Sequence, residues 1–357
     1  MIIKDEIHGT VEFSDLEERI IDSRQFQRLR RIKQMSVTNL VYPGANHTRF
    51  EHSIGTAHLS SLIAKRLDFD DEEIRKVKLY GLLHDIGHTP FSHEGEHVLS
   101  RYVGDHEKLG EKKILNGEIA DILSENYDPK DILKIGKEPS GNIIESDIGS
   151  DRMDYLERDA QNTGVAYGII DIDRIIHTLA MNNGKLCIER GGLGAAEYLL
   201  VARFMMFSTV YLHKTVRIAT AMLYEAIRKA IEDGLSPEKL ADMNDEQAMQ
   251  AILETKGSEY AKGLENRVLY KEVCTLQVSE AEKAKKIGEE FSEVIVDYPD
   301  SFFKPIDFMI KTDDGLVPIT KMSKVVQSLK KAEEERMHIL VLAKEKDVKE
   351  IRSRLEP

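Results

Sequence analysis

Residues 81–93 read GLLHDIGHTPFSH, which places His84, Asp85, His88 and His93 within ten positions, broken by a glycine and a proline. A packed core has little use for that much imidazole beside a carboxylate, but a divalent cation does. Imidazole with carboxylate suits borderline or hard ions such as Mn, Fe, Mg, Zn or Ni. The two cysteines, Cys187 and Cys274, lie far apart without CxxC spacing. Neither a disulfide framework nor a zinc–thiolate site is therefore expected, and any metal must be held by His and carboxylate. Alone, a His-Asp dipeptide reads as a capping Asp and a hydrogen-bonded His. This one is not alone. HTRFEHSIGTAHL supplies His47, His52 and His58 upstream, and ESDIGSDRMDYLERDA supplies Asp151 downstream. His52, the His84–Asp85 pair and Asp151 together offer two imidazoles and two carboxylates. Such a set occupies one hemisphere of an ion and leaves positions for water and substrate oxygens.

These residues need helices to hold them. In EEIRKVKLYGLLHDIG, Leu79, Leu82, Leu83 and Ile86 form an apolar stripe at i, i+3, i+4 and i+7, so His84 and Asp85 sit at the end of a helix that Gly87 and Pro90 stop. A helix beginning near Arg49 carries His52 one turn on, and long helical stretches are expected over 151–162 and 195–233. Ahead of them, TVEF reads as extended. SDLEERIIDSRQFQRLRRIKQM has helical spacing, with Ser14 or Asp15 able to cap. After about residue 235 the composition shifts. SPEKLADMNDEQAMQAIL reads as short capped helices. VIVDYPD, FFKPIDFMIKTDDGLVPIT and MHILVLA read as strands, with Asp313–Asp314–Gly315 as a hairpin turn. The expected organisation is a mainly α domain over 1–235 and a small C-terminal α+β appendage over 236–357. No internal repeat or low-complexity tract is found.

The chain of 357 residues, 41% hydrophobic and 32% charged, has the balance of a soluble globular protein. It contains no run of eighteen apolar residues, so no membrane span is expected, and the cytoplasm is the expected location. A net charge of −13 argues against strong nucleic-acid binding, which relies on phosphate neutralisation. It leaves room for a local basic pocket that holds a small polyanion.

Taken in order, DEIHGTVEF, IIDSRQFQRLRRIKQM, VYPGANHTRFEHSIG, LLHDIGHTPFSH, DHEKLG, SDRMDYLERDA and VYLHKTV resemble the deoxynucleoside triphosphate triphosphohydrolase branch of the HD-domain metallophosphohydrolases. That branch includes the animal enzyme in which an HD domain is joined to a sterile-alpha-motif domain. The resemblance runs over about residues 5–220 and implies the HD-domain helical fold. It also implies one divalent ion on His52, His84, Asp85 and Asp151. His93 would stand near the scissile α-phosphate, with Glu96 and His106 as its proton relay and His88 facing the same pocket. Glu96 stands where the family commonly has Asp. By resemblance Arg49 and Arg152 meet the inner phosphates and Arg203 the outer ones. The spacing of Arg203, Tyr211 and Lys214 puts the three on one helical face. Asp159 and Gln34 resemble the pair that binds the ribose 3′-hydroxyl, and Tyr155 and Tyr211 the aromatic pair that crowds the 2′ position. Asp22, Gln27 and Arg30 match residues that hold a guanine nucleotide effector at a subunit junction, which also implies a homo-oligomer, dimer or tetramer.

The implied reaction is attack of water at the α-phosphorus of a deoxynucleoside triphosphate, giving deoxynucleoside and inorganic triphosphate. Two alternatives stay open. One is a phosphomonoesterase or phosphodiesterase on the same platform, with His47, His58 or His88 holding a second ion. The other is a nucleotide-binding regulator without turnover.

Overall fold

The structure, a computed structural model, describes residues 1–299, 308–334 and 336–355. It opens on a two-stranded antiparallel hairpin, β1 (Ile2–Asp5) and β2 (Gly9–Glu12). Helix α1 (Asp15–Asp22) starts on Ser14, which forms a capping box with Glu17. The helical periodicity of residues 14–35 is delivered in pieces. Ser23 is extended (φ −61°, ψ 145°), ends α1, and caps a new helical turn at Arg24–Gln27, followed by a 3₁₀ turn at Arg28–Arg31. Ser and Thr favour such breaks because their hydroxyls satisfy orphan N–H groups.

Five helices then build the site. They are α2 (Arg49–Arg66), α3 (Asp71–Leu83), α4 (Ser92–Val103), α5 (His106–Leu115) and α6 (Ser150–Thr163). A Thr48–Glu51 capping box fixes the start of α2, one turn ahead of His52. α2 is buried along most of its length, with α3 beside it and α6 across it. The expected stretch 195–233 is two helices, α7 (Leu193–Met206) and α8 (Lys214–Glu232), separated by a π-helical turn at Phe207–Tyr211. Arg190–Tyr211 as a whole reaches the length and mean hydropathy of a membrane span. Glu197 interrupts it, however, and Leu199, Leu200, Ala202 and Met206 are buried in the main core.

The C-terminal part carries capped helices at Pro237–Ala241 and α9 (Asp245–Leu253), as expected, and two sheets. Strands β3 (Leu179–Asn182), β4 (Lys185–Glu189), β7 (Met309–Thr312) and β8 (Gly315–Pro318) form one sheet in that order. β4 and β7 are parallel, with Cys187 opposite Met309. The hairpin turn at Asp313–Asp314 joins Thr312 to Gly315, which sits at φ +117°. Strands β5 (Lys271–Gln277), β9 (His338–Ala343) and β6 (Ile295–Asp297) form the other, with β9 central. The FFKPID part of the expected strand region lies outside the described residues. The fold is thus mainly helical with small sheets towards the C-terminus, as the sequence implies, but β3 and β4 lie within the stretch 1–235 expected to be mainly α and join the later strands in one sheet.

α2 and α6 approach closely at Gly55. A Cβ there would stand 1.8 Å from Asp154 Oδ1 and 2.5 Å from Arg158 Nη2. Gly55→Ala is expected to destabilise the fold by about 1–3 kcal/mol through overpacking, despite the better helix propensity of Ala. Urea denaturation would show this as a lower midpoint at unchanged slope; an unchanged midpoint would contradict the close crossing.

Candidate active site

α2 presents His52, the end of α3 presents His84 and Asp85, and the first turn of α6 presents Asp151. His52 Nε2 lies 3.1 Å from Asp151 Oδ1 and 3.6 Å from Asp85 Oδ2. His84 Nε2 lies 3.4 Å from Asp85 Oδ1 and 3.8 Å from Asp151 Oδ1. Around an ion with ligands at about 2.0–2.2 Å, neighbouring ligand atoms stand roughly 3 Å apart. Both Nε2 atoms are buried and neither makes a hydrogen bond. Two buried imidazole nitrogens without hydrogen bonds thus face the carboxylates of Asp85 and Asp151, the donor set that a divalent cation takes. The residues fit a divalent ion.

The far side of each ring fixes its orientation. His84 Nδ1 meets the Gly81 carbonyl at 2.8 Å, and His52 Nδ1 meets Asp154 Oδ2 at 2.8 Å. An Nδ1–H donated this way leaves Nε2 as the metal-facing lone pair. Asp154 is itself held by His8 Nε2 at 2.6 Å and by Arg158 at 2.8–2.9 Å, and Arg158 continues to Asp5 at 3.0 Å. Burial opposes charge on Asp154, but Arg158, His52 and His8 hold its carboxyl well below the usual range. Burial also opposes charge on His52, yet Asp151, Asp154 and Asp85 raise it to about 10. The floor of the site is therefore built to receive positive charge.

Arg49 is 3% exposed and donates from Nη1 to Asp85 Oδ2 at 2.7 Å and from Nε to Ser92 Oγ at 3.0 Å. Beyond the floor stand four groups. Glu96 accepts from His106 Nδ1 at 2.8 Å and lies 3.3 Å from His93 Nδ1. The extra methylene of Glu relative to Asp therefore still reaches both rings. Burial works against the charge on Glu96, and the His106 and His93 hydrogen bonds hold its carboxyl low; burial likewise opposes charge on His106, which Glu96 raises. His93 is exposed to the cleft. His88 is fully buried, stacks on His106 with centroids 4.2 Å apart, and lies 3.2 Å from Asp85.

A single cleft of about 1380 Å³ is lined by Arg49, His84, Asp85, His93, His106 and Asp151 together with Gln34, Arg152, Tyr155, Asp159 and Tyr211; Arg203, expected at the outer phosphates, is buried and not part of that lining. Arg152 pairs with Asp147, which Arg203 also approaches at 3.6 Å. Asp159 meets His47 Nε2 at 2.8 Å and accepts from Tyr211 Oη at 2.5 Å. A carboxylate has lone pairs for a further donor. Gln34 Oε1 is buried without a hydrogen-bond partner.

Some expected placements differ. Lys214 pairs with Glu272 of β5 and is largely exposed, outside the cleft lining. The π-helical turn and the restart of the helix at His213 break the face it was expected to share with Arg203 and Tyr211. Of the spare histidines, His47 belongs to Asp159 and His58 packs on His8, so neither joins the four ligands. His88, His93, Glu96 and His106 form a second group of the kind that binds metals. Gln27 and Arg30 bond each other at 2.9 Å, with Arg30 over the Phe50 ring, while Asp22 is exposed in a surface hollow with Arg19 and Glu118. The supports Asp154, His8, Arg158 and Asp147 escape sequence reasoning; the i+3 spacing of Asp151 and Asp154 on one helix is the signal that points to the first.

The sequence matches the family described as HD domain over residues 49–159 and that described as HD associated region over 170–356. It is 37% identical to an uncharacterised protein, MJ1154, of Methanocaldococcus jannaschii, over 98% of this chain and 81% of that one. It is 31% identical to the deoxynucleoside triphosphate triphosphohydrolase SAMHD1 homolog of Dictyostelium discoideum, over 82% of this chain and 64% of the relative. A crystal structure of a phosphohydrolase from Bacteroides thetaiotaomicron superposes with a TM-score of 0.80 at 25% identity, over 96% of this chain and 99% of that one.

Asp154→Asn should weaken divalent-metal affinity about 10- to 100-fold while leaving all four ligands in place. Titration calorimetry with Mn would show it, and wild-type affinity would deny Asp154 its orienting role.

Proposed function

This chain belongs to the HD-domain family, and from that premise we propose that it hydrolyses deoxynucleoside triphosphates to deoxynucleoside and inorganic triphosphate. Metal-dependent phosphohydrolase chemistry is what the family match and the His/Asp group support together. The finer reading rests on one observation above others. His84, Asp85 and Asp151 of the metal floor, Arg49 and Arg152, and the Asp159–Gln34 end line one continuous cleft, with the buried Gln34 Oε1 still lacking a donor.

In this reading a water oxygen bonds to the α-phosphorus, the bond from phosphorus to the 5′-oxygen breaks, and that oxygen takes up a proton. The bound ion would supply Lewis acidity and a lowered pKa for a bound water. Arg49 and Arg152 offset charge on the phosphates from fixed positions, and Arg203 backs them through Asp147. His93, with Nδ1 towards Glu96, presents its other nitrogen to the cleft as proton donor, and Glu96 steadies it together with His106. Asp159 and Gln34 receive the 3′-hydroxyl, and Tyr155 and Tyr211 leave little space for a 2′-hydroxyl. A guanine nucleotide at Asp22, Gln27 and Arg30, bound between subunits of a homo-oligomer, is part of the same proposal.

The test is a product assay with each deoxynucleoside triphosphate, with Mn or Mg, with and without GTP. Intact triphosphate is expected, abolished in Asp85→Ala and reduced about 10²- to 10⁴-fold in His93→Ala. Release of orthophosphate instead would refute it and favour a phosphatase that uses His88, His93, Glu96 and His106 as a second metal site. Bound nucleotide without any product would favour a regulator.

A further inference from the structure

Asp245 is the first residue of α9, in the HD associated region, yet its side chain does not serve its own helix. Asn244 caps α9 by accepting from the Gln247 N–H at 3.0 Å. The Asp245 carboxylate reaches into the HD domain's active-site scaffold. Oδ2 accepts the Lys33 N–H at 2.9 Å and Oδ1 accepts the Phe91 N–H at 2.7 Å. Lys33 precedes Gln34, and Phe91–Ser92 precede His93; Gln34 and His93 both line the cleft.

The turn held in this way is strained. Phe91 and Ser92 sit at φ +64° and +55°, successive non-glycine residues in the left-handed region. Side chains with a Cβ persist there only where the surroundings hold them. Ser92 Oγ donates to the Lys33 carbonyl at 2.6 Å and accepts from Arg49 Nε, so both segments also tie to the arginine beside Asp85. From the other direction, Arg28 donates to the His88 carbonyl at 2.9 Å and to the carbonyls of Ala241 and Met243 at 2.8 and 2.7 Å.

We propose that Asp245 is a positioning residue for the hydrolysis, a carboxylate from the HD associated region that sets the His93 backbone against the Gln34 backbone. The proposal rests on the function given above. Burial pushes the Asp245 carboxyl up to about 6, against the Lys33 and Phe91 N–H groups and the charges of Lys33 and Arg28 that face it. A carboxyl raised in the fold binds its proton more tightly folded than unfolded. The stability it contributes is present at low pH and lost as pH rises through about 6. At neutral pH the ionised carboxylate is thus held in place by the Lys33 and Phe91 N–H groups against the pull of burial.

Asp245→Asn keeps the shape but leaves one of the two N–H groups facing an NH₂. Ile252→Ala, at the far end of the same helix in its buried face, weakens packing without touching these bonds. Both are compared with the full-length wild type at pH 8 for kcat, KM, metal content and thermal midpoint. Amide exchange is followed over residues 31–36 and 88–95. In Asp245→Asn, kcat should fall about 10- to 100-fold with KM changed far less. Metal content should stay at the wild-type level and exchange should rise in both segments. Ile252→Ala should lower the thermal midpoint and keep wild-type kcat. Wild-type kcat and exchange in Asp245→Asn would overturn the proposal. So would its failure to fold, or a kcat loss in both variants that tracks their stability. If the wild type hydrolyses no deoxynucleotide, the proposed function fails, and the exchange comparison alone still decides whether Asp245 holds the two segments.

Discussion

A fully buried carboxylate must be surrounded by donors or it unfolds its surroundings, and Asp154 is such a group. Its two oxygens collect His52 from α2, His8 from the loop between β1 and β2, and Arg158 from its own helix, while Asp5 closes the other side of Arg158. Removing one partner from a buried set of this kind costs on the order of 3–5 kcal/mol, because the charges left behind stay out of water. Those bonds dictate where α2, α6 and the N-terminal hairpin sit. They also turn the His52 ring so that Nε2 faces the other ligands. The bare α-carbon of Gly55 follows from the same need, since the acid occupies the space a methyl would take.

The cleft divides its charge. At the floor, Asp85 and Asp151 stand with Asp154 behind them, and their negative charge favours a cation there against the pull of burial. Along the wall, Arg49 and Arg152 concentrate positive charge in a chain of net charge −13, with Arg203 buried near Asp147. Burial strengthens each of these local fields relative to water. Overall acidity and a pocket for a polyanion are compatible because screening separates them. Asp147 keeps Arg152 on that wall and brings Arg203 close to it.

The clustering of His52, His84, Asp85 and Asp151 was readable because residue type, order and helix-ending signals coincide at them. The helical class, the capped turns after residue 236 and the Asp313–Asp314 hairpin were readable from periodicity and turn chemistry. What tertiary distance decides was not. Asp154 looks like one more acid on an acid-rich helix until His8, far away in sequence, meets it. Lys214 shares its spacing with Arg203 and Tyr211, but a π-helical turn changes the register between them. Asp245 reads as a helix-opening acid, because nothing local says that its oxygens belong to Lys33 and Phe91. The break at Ser23 follows from a hydroxyl that competes with the helix it interrupts.

The parallel pairing of β4 with β7 bears on how the chain is made. Cys187 cannot find Met309 until the long segment between them has been synthesised, since chains fold from the N-terminus as they emerge and long-range parallel pairs close late. Ile188, Ile310, Ile319 and Val326 share one hydrophobic cluster with the helices around the cleft. Until β7 emerges, the core around the cleft thus lacks one wall and the β4 edge is bare, a template for pairing with other chains. Solubility during synthesis then depends on how soon β7 arrives.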